Sequence, residues 1–462
     1  MEQPRVTAVF DIGRTNKKFF LFDDHYREVH REYIRLPETT DEDGYPTEDL
    51  SALRAWLREV FDRILTARNF DIHSINFSSY GASLVHLDAD GEVVTPLYNY
   101  TKPCDPELAR EFYDRYGPEP EFTAATGSPP SGLLNSGMQL YWLKHRRPEA
   151  LRRIRYSLHL PQYLSYVFTG IPISEYTSIG CHTALWDYRR GDYHDWVHAE
   201  ELHRLLPPIV STETSINMNY GGRRLRIGVG IHDSSAALLP YIRSAADPFV
   251  LVSTGTWSIT LNPFAQGALS VEDLEGDCIN YMRIDGRPVR AARLFLGQEY
   301  RQQVGYLTDH FGVDPERHRA VRFDPAIYAE IMAGYRPWFH LEYLAYPGNP
   351  ATTTISTESF DYAYHQLMVE LVDLQVDSIR AAIGDTPLRT IFIDGGFSDN
   401  EVFLQLISHH FRELELRTTD SSLGSALGAA ISISDRGLNS RFLEKNYGLK
   451  KHQPFIIKEA GA

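Results

Sequence analysis

Cysteine is scarce, with three in 462 residues, and Cys104, Cys181 and Cys278 are too few and too scattered for a disulfide framework or a zinc site. A reducing, cytoplasmic setting fits that usage. No apolar stretch approaches the roughly 18 residues that span a bilayer. The start, Met1-Glu2-Gln3-Pro4-Arg5-Val6, runs into a strand-like segment without the apolar region of a signal peptide. Basic charge is in deficit: 46 Lys and Arg against 61 Asp and Glu give a formal net charge of −15. Nucleic acid and anionic membranes are therefore not expected as partners, because both require a clustered basic face that displaces counterions. A small anionic ligand stays open, since a few local donors can outweigh the global field. Also missing are a Walker-type loop and a Gly-x-Ser-x-Gly elbow.

What is present is an ordinary globular composition, 43% hydrophobic, 12% aromatic and 23% charged. The length exceeds what one hydrophobic core usually serves, so two domains with a cleft between them are expected. Residues 6–10 and 19–22 are short apolar runs flanking Asp11-Ile12-Gly13-Arg14-Thr15-Asn16-Lys17-Lys18, which reads as a hairpin with a polar turn. Residues 249–253 and 258–261 repeat that layout around Thr254-Gly255-Thr256-Trp257. Between the two hairpins, apolar residues from Leu50 to Leu65 recur at three- and four-residue steps and predict an amphipathic helix after an acidic loop near 39–49. Helices are also expected near 135–144, 161–168 and 366–383. The small-residue segment 423–433 predicts a helix packed tightly on its neighbour. The expected domains are 1–244 and 245–440, with 441–462 a surface tail.

Each polar turn taken alone is no more than a turn. Paired, they can clamp a polyphosphate: Gly13 lets the backbone approach, while Arg14, Thr15, Asn16 and Lys17 offer donors, as do Thr254, Gly255 and Thr256 across the cleft. Asp11 ends the first strand, where its carboxylate either holds Mg²⁺ through water or serves the turn. Asp233, in Gly230-Ile231-His232-Asp233-Ser234, sits at a strand end passing into a helix. It either takes a proton from an attacking hydroxyl or caps the helix. Gly395 and Gly396 after a strand, followed by Asn400, permit close backbone approach to a flat ring. Tyr80, Gly81, Ser83, Tyr98 and Asn99 form a candidate lining for a small polar ligand.

Taken in order, these segments resemble the FGGY carbohydrate kinases over nearly the whole chain, from Val6 to about Ser434, and most closely the rhamnulokinase and fuculokinase branch. Asp11 to Lys18 is similar to that family's first phosphate motif, Ser253 to Ser258 to its second, and Asp394 to Asn400 to its adenosine motif. The resemblance implies an α/β fold of two ribonuclease-H-like domains of the actin/hexokinase type with a catalytic cleft between them. It implies ATP and Mg²⁺ as cofactors, Asp233 as general base, Asp11 at the metal, and a ketose 1-phosphate as product. The implied sugar is L-rhamnulose, L-fuculose or a xylulose-like ketose, with Tyr80, Gly81, Ala82, Ser83, Tyr98, His232 and Ser234 on the sugar side. Gln302 falls where that branch has a nucleotide-contacting glutamine. Departures from the pattern fall on the sugar side: Ser83 replaces an acidic residue, Tyr98-Asn99-Tyr100 replaces an aromatic-Asp-Arg run, and Leu294 stands in place of Asn. An actin- or chaperone-like ATPase and a non-catalytic sugar sensor on the same fold stay open as alternatives, and so does a homodimer.

Overall fold

The computed structural model describes residues 3–420 and 423–455. Two α/β lobes follow one plan. In the first, strands Arg5–Ile12, Lys17–Asp23 and Glu28–Ile34 form an antiparallel meander. The amphipathic helix Leu50–Ala67 then crosses over to Asp71–Ser79, which lies parallel to the first strand, and Arg223–Gly228 extends the sheet in parallel. In the second, Phe249–Thr254, Ser258–Asn262 and Pro288–Leu294 make the meander. The helix Phe360–Ile383 crosses over to Thr390–Gly395, parallel to Phe249–Thr254, and Glu415–Thr418 follows in parallel. A parallel pair needs a long crossover, which is why a helix separates the strands in each lobe.

The helix at Leu50–Ala67 forms where the spacing predicts it. Asp49 caps it by accepting from the Ala52 N–H, and its apolar stripe, including Leu53, Leu57 and Phe61, is buried against the first sheet. Phe10 anchors the same layer, its ring 4.8 Å from Phe19 and 6.2 Å from Phe77.

Of the segment expected as a surface tail, 441–462, residues 441–455 pack as part of the fold, and 456–462 lie outside the described residues. Helix Phe442–Asn446 buries Phe442 and Leu443, and Lys450–His452 pairs antiparallel with Glu415–Thr418 as an edge strand. A three-residue edge strand of two lysines and a histidine is too short to leave a periodic signal. No helix among the described residues is long and apolar enough to cross a membrane.

The lobes meet along two helices, Asp233–Ser244 from the first and Gly424–Ser432 from the second. Small residues permit the contact: a Cβ on Gly428 would stand 1.8 Å from the Ala236 carbonyl oxygen. Asn76 sews the seam, its Nδ2 donating to Ala429 O at 2.8 Å and Ser432 Oγ at 2.9 Å while its Oδ1 accepts from the Gly230 N–H at 3.1 Å.

Candidate active site

The N-terminal ends of those two seam helices open into a cavity of about 750 Å³ between the lobes. Asp233, Ser234 and Ala237 line it from one side, Gly424 and Ser425 from the other, and Ser253, Gly395 and Ser398 form its second-lobe wall. The first-turn N–H groups of both helices lack intrahelical partners, while Asp394, Asp399 and Asp420, with Lys450, add charged side chains to the lining.

Asp233 begins its helix, with His232 in the capping position. Its Oδ1 accepts from the Ser234 N–H at 2.6 Å and from the Ser234 hydroxyl at 3.2 Å. It does not cap the helix through the N–H groups of the second or third residue, so the alternative of a structural cap does not describe it. Burial raises its pKa from 3.8 to about 6, against the pull of those two bonds. The side chain still presents 35% of its surface to the cleft, so it is enclosed yet reachable. His232 is pushed by burial down to about 3 and is neutral near pH 7. Its Nε2 lies 3.2 Å from Asp233 Oδ1 and 3.2 Å from Cys181 Sγ, and its ring stacks on Tyr281 of the second lobe at 5.7 Å. Gly81 packs closely beside it: a Cβ there would come 3.0 Å from Cys181 Sγ and 3.1 Å from the His232 ring.

Asp11 reaches the same place from the first strand. Ser425 Oγ donates to Asp11 Oδ1 at 3.0 Å, and Lys18 Nζ stands 3.9 Å from Oδ2. Burial raises the Asp11 carboxyl, Lys18 draws it back, and the nearby charge of Asp233 pushes it up again. Two neighbouring carboxylates with one distant lysine leave local negative charge that a hydrated divalent cation would neutralise. Among the described residues no group of three or more His, Cys, Asp and Glu side chains gathers as a metal-ligand set.

The two polar turns sit at the ends of their hairpins as the sequence predicts. In the first, the Gly13 N–H donates to Asn16 O at 3.0 Å, and Asn16 Oδ1 accepts from Arg35. Thr15 is exposed at its tip. Lys17 differs from expectation. Consecutive strand residues face opposite ways, so Lys18 turns toward Asp11 and Lys17 turns away, buried, with Nζ 2.9 Å from Glu48 Oε2. In the second turn, the Gly255 N–H donates to Trp257 O and the Gln298 N–H to Thr256 O. The Thr254 hydroxyl is committed to its neighbour loop: it donates to Asp394 O and accepts from the Phe397 N–H. Gly395 follows at φ +81°, and a Cβ there would stand 2.0 Å from Thr254 O, while the Gly396 N–H donates to that oxygen at 2.7 Å. Only glycine fits.

Asn400 and Gln302 lie apart from the cavity lining. Asn400 caps helix Glu401–His410 by accepting from the Phe403 N–H, and it donates to the Tyr364 hydroxyl at 2.8 Å. Gln302 donates to Glu342 at 2.6 Å. Both side chains are occupied structurally; Asn directly before a helix is a cap signal in the sequence, whereas the Gln302 pairing with Glu342 leaves none.

A second, smaller cavity adjoins the 80–83 loop. Arg14, Tyr80, Ser83, Tyr98 and Tyr100 line it together with Glu48. The Arg14 guanidinium stands 5.3 Å over the Tyr100 ring. Ala82 holds φ +67°, a left-handed conformation unusual for alanine, fixed where its carbonyl accepts from Gln139. Tyr98 is mostly core, its hydroxyl donating to Glu42 at 2.5 Å and its ring 4.9 Å from Trp142. Glu48, Cys181 and Tyr281 are missing from the sequence-derived site. They come from distant segments, and only the tertiary fold brings them in.

A helix-borne carboxylate, the ends of two seam helices and a wall that includes Gly395 surround one cavity between two lobes of the same plan. Residues 6–222 match the N-terminal domain of the FGGY family of carbohydrate kinases, and residues 246–440 match the FGGY carbohydrate kinase C-terminal domain. The chain belongs to the FGGY family of carbohydrate kinases. It is 26% identical over 217 residues to the L-xylulose/3-keto-L-gulonate kinase of Escherichia coli, covering 44% of this chain and 41% of that protein. It is also 26% identical over 198 residues to the rhamnulokinase of Mannheimia succiniciproducens, covering 41% and 38%. The chain thus spans about two fifths of the length of these curated relatives. A carbohydrate kinase from Novosphingobium aromaticivorans shares the fold with a TM-score of 0.82 at 24% identity, over 98% of this chain and 95% of that one. A xylulose kinase from Rhodospirillum rubrum does so with a TM-score of 0.78 at 17% identity, over 98% and 94%.

Proposed function

We propose that the protein transfers the γ-phosphoryl group of ATP to a hydroxyl of a small sugar, a ketose giving a ketose 1-phosphate. The observation that carries this reading is Asp233, a reachable carboxylate with its pKa raised to about 6 in the floor of an interlobe cavity. A base poised there is ionised at neutral pH yet basic enough to take the hydroxyl proton as the oxygen attacks. Phosphoryl transfer otherwise asks mainly for positioning and charge stabilisation. The first turn with Lys18, the second turn at Thr256 and the first-turn N–H groups of the two seam helices would supply donors for it. Asp11 would hold Mg²⁺ through water, and that ion would neutralise phosphate charge. The sugar would bind in the cavity of about 750 Å³ beside Asp233, because the smaller cavity at Tyr80, Ser83 and Arg14 has room for about one water. Free cysteines at 104, 181 and 278 suit a reducing cytoplasm.

The test is purified protein with ATP, Mg²⁺ and a panel of ketoses, aldoses and polyols, read as ADP release. At least one sugar is expected to raise release above the ATP-only rate, and Asp233→Asn is expected to remove that increment. A flat panel, or an unaffected Asp233→Asn, overturns the reading.

A further inference from the structure

Lys17, Glu48 and Tyr80 form a buried chain of contacts that the proposed chemistry does not use. Lys17 Nζ donates to the Gly13 carbonyl at 3.1 Å and to the Arg14 carbonyl at 2.7 Å, and lies 2.9 Å from Glu48 Oε2. The other oxygen of Glu48 accepts from the Tyr80 hydroxyl at 2.7 Å. The side chains of Lys17 and Glu48 are 3% and 12% exposed. Glu48 is held in place by backbone pairing, with Glu38 on one side and Leu97 on the other.

The consequence lies in the peptide planes. A trans peptide points its N–H opposite to its C=O. With the carbonyls of Gly13 and Arg14 drawn to one ammonium group, the N–H groups of Arg14 and Thr15 are turned to the other side of the turn. Neither donates to any acceptor among the described residues. Successive N–H groups aimed one way make an anion cradle. Lys17 therefore acts on the turn from behind, and Glu48 keeps Lys17 there. At the far end, Tyr80 precedes Gly81, which packs on the ring of His232 next to Asp233.

We propose that Glu48 is a positioning residue: through Lys17 it fixes the donor orientation of the first turn, and through Tyr80 it ties that orientation to the loop walling the smaller cavity. The inference deepens the phosphotransferase reading and rests on it for the identity of the anion, a nucleotide phosphate. The grip on phosphate then depends on the loop at residues 80–83 being in place.

The experiment compares wild type with Glu48→Gln, Lys17→Met, the double variant and Tyr80→Phe, in the absence of sugar. Two readouts are taken: hydrogen exchange of the Gly13 amide, which is bonded to Asn16 O across the turn, and calorimetric affinity for the ATP analogue AMP-PNP with Mg²⁺. Glu48→Gln and Lys17→Met are each expected to speed exchange at Gly13 by about tenfold and to weaken AMP-PNP by about tenfold, as loss of a hydrogen bond to a charged group implies. The helix Leu50–Ala67 should keep its protection. The double variant should lose no more than the worse single one, because both remove the same constraint. Tyr80→Phe keeps the ring and should weaken AMP-PNP about threefold; it also carries the test if the charge variants do not fold. A lowered Tm with unchanged exchange and affinity makes Glu48 merely structural and overturns the proposal. An unchanged Tyr80→Phe affinity overturns the link to the loop at residues 80–83. Wild type that phosphorylates no sugar sinks the functional reading while the exchange result at Gly13 still decides this one.

Discussion

Replacing Asp233 by Asn should make the protein more stable at pH 8 while removing its activity. The carboxyl titrates at about 6 instead of 3.8 because burial disfavours its charged form. At about 1.4 kcal/mol per pH unit, that gap corresponds to about 3 kcal/mol carried by the ionised group. With 35% of the side chain open to the cleft, solvent screening reduces the recoverable part to about 1 kcal/mol. The amide oxygen of Asn still accepts the Ser234 N–H, so no bond need be lost. The sign follows from linkage. A folded pKa above the unfolded one stabilises the protonated state, so wild type has its full stability below pH 3.8 and loses some as pH rises through about 6. Asn cannot titrate and should gain on wild type across that window. Urea unfolding of both proteins at pH 4 and pH 8 measures this, with near-equal midpoints expected at pH 4 and the variant ahead at pH 8. A variant that is less stable at pH 8, or whose advantage does not shrink toward pH 4, refutes the claim that Asp233 is held against its desolvation cost.

Other outcomes follow from the same geometry. The rate of sugar phosphorylation at low substrate should fall about tenfold per pH unit below about 6, checked by a pH profile of kcat/KM. Gly395→Ala places a Cβ 2.0 Å from Thr254 O at a positive φ, so AMP-PNP affinity should collapse in calorimetry and thermal unfolding should shift down. Gly428→Ala drives a methyl into the Ala236 carbonyl and should cost about 1–3 kcal/mol by urea unfolding, with kcat lowered because the displaced helix carries Asp233.

The parts of this molecule that local chemistry dictates were readable in its residues. Apolar runs either side of Asp11–Lys18 and of Thr254–Trp257 predicted both hairpins, and the steps from Leu50 to Leu65 predicted the crossover helix. The small residues near Gly428 predicted the close helix contact. What was not readable depends on contacts between distant segments. The acidic loop near 39–49 carries no local mark of a partner, yet it delivers Glu48 to Lys17. Strand alternation distinguishes Lys17 from Lys18 once the hairpin is recognised, but which of them faces the cleft depends on which face of the sheet the lobe buries. Tyr281 reaches His232 from the other lobe, 49 residues later in the chain, and Lys450–His452 joins a sheet whose neighbour lies more than 30 residues earlier.

The most direct measurement is phosphorus NMR of the protein incubated with ATP, Mg²⁺ and whichever sugar raises ADP release. The account predicts a sugar phosphomonoester resonance growing in step with ADP, absent with Asp233→Asn. Inorganic phosphate appearing in its place, with no phosphomonoester, contradicts sugar phosphorylation and makes the protein an ATPase.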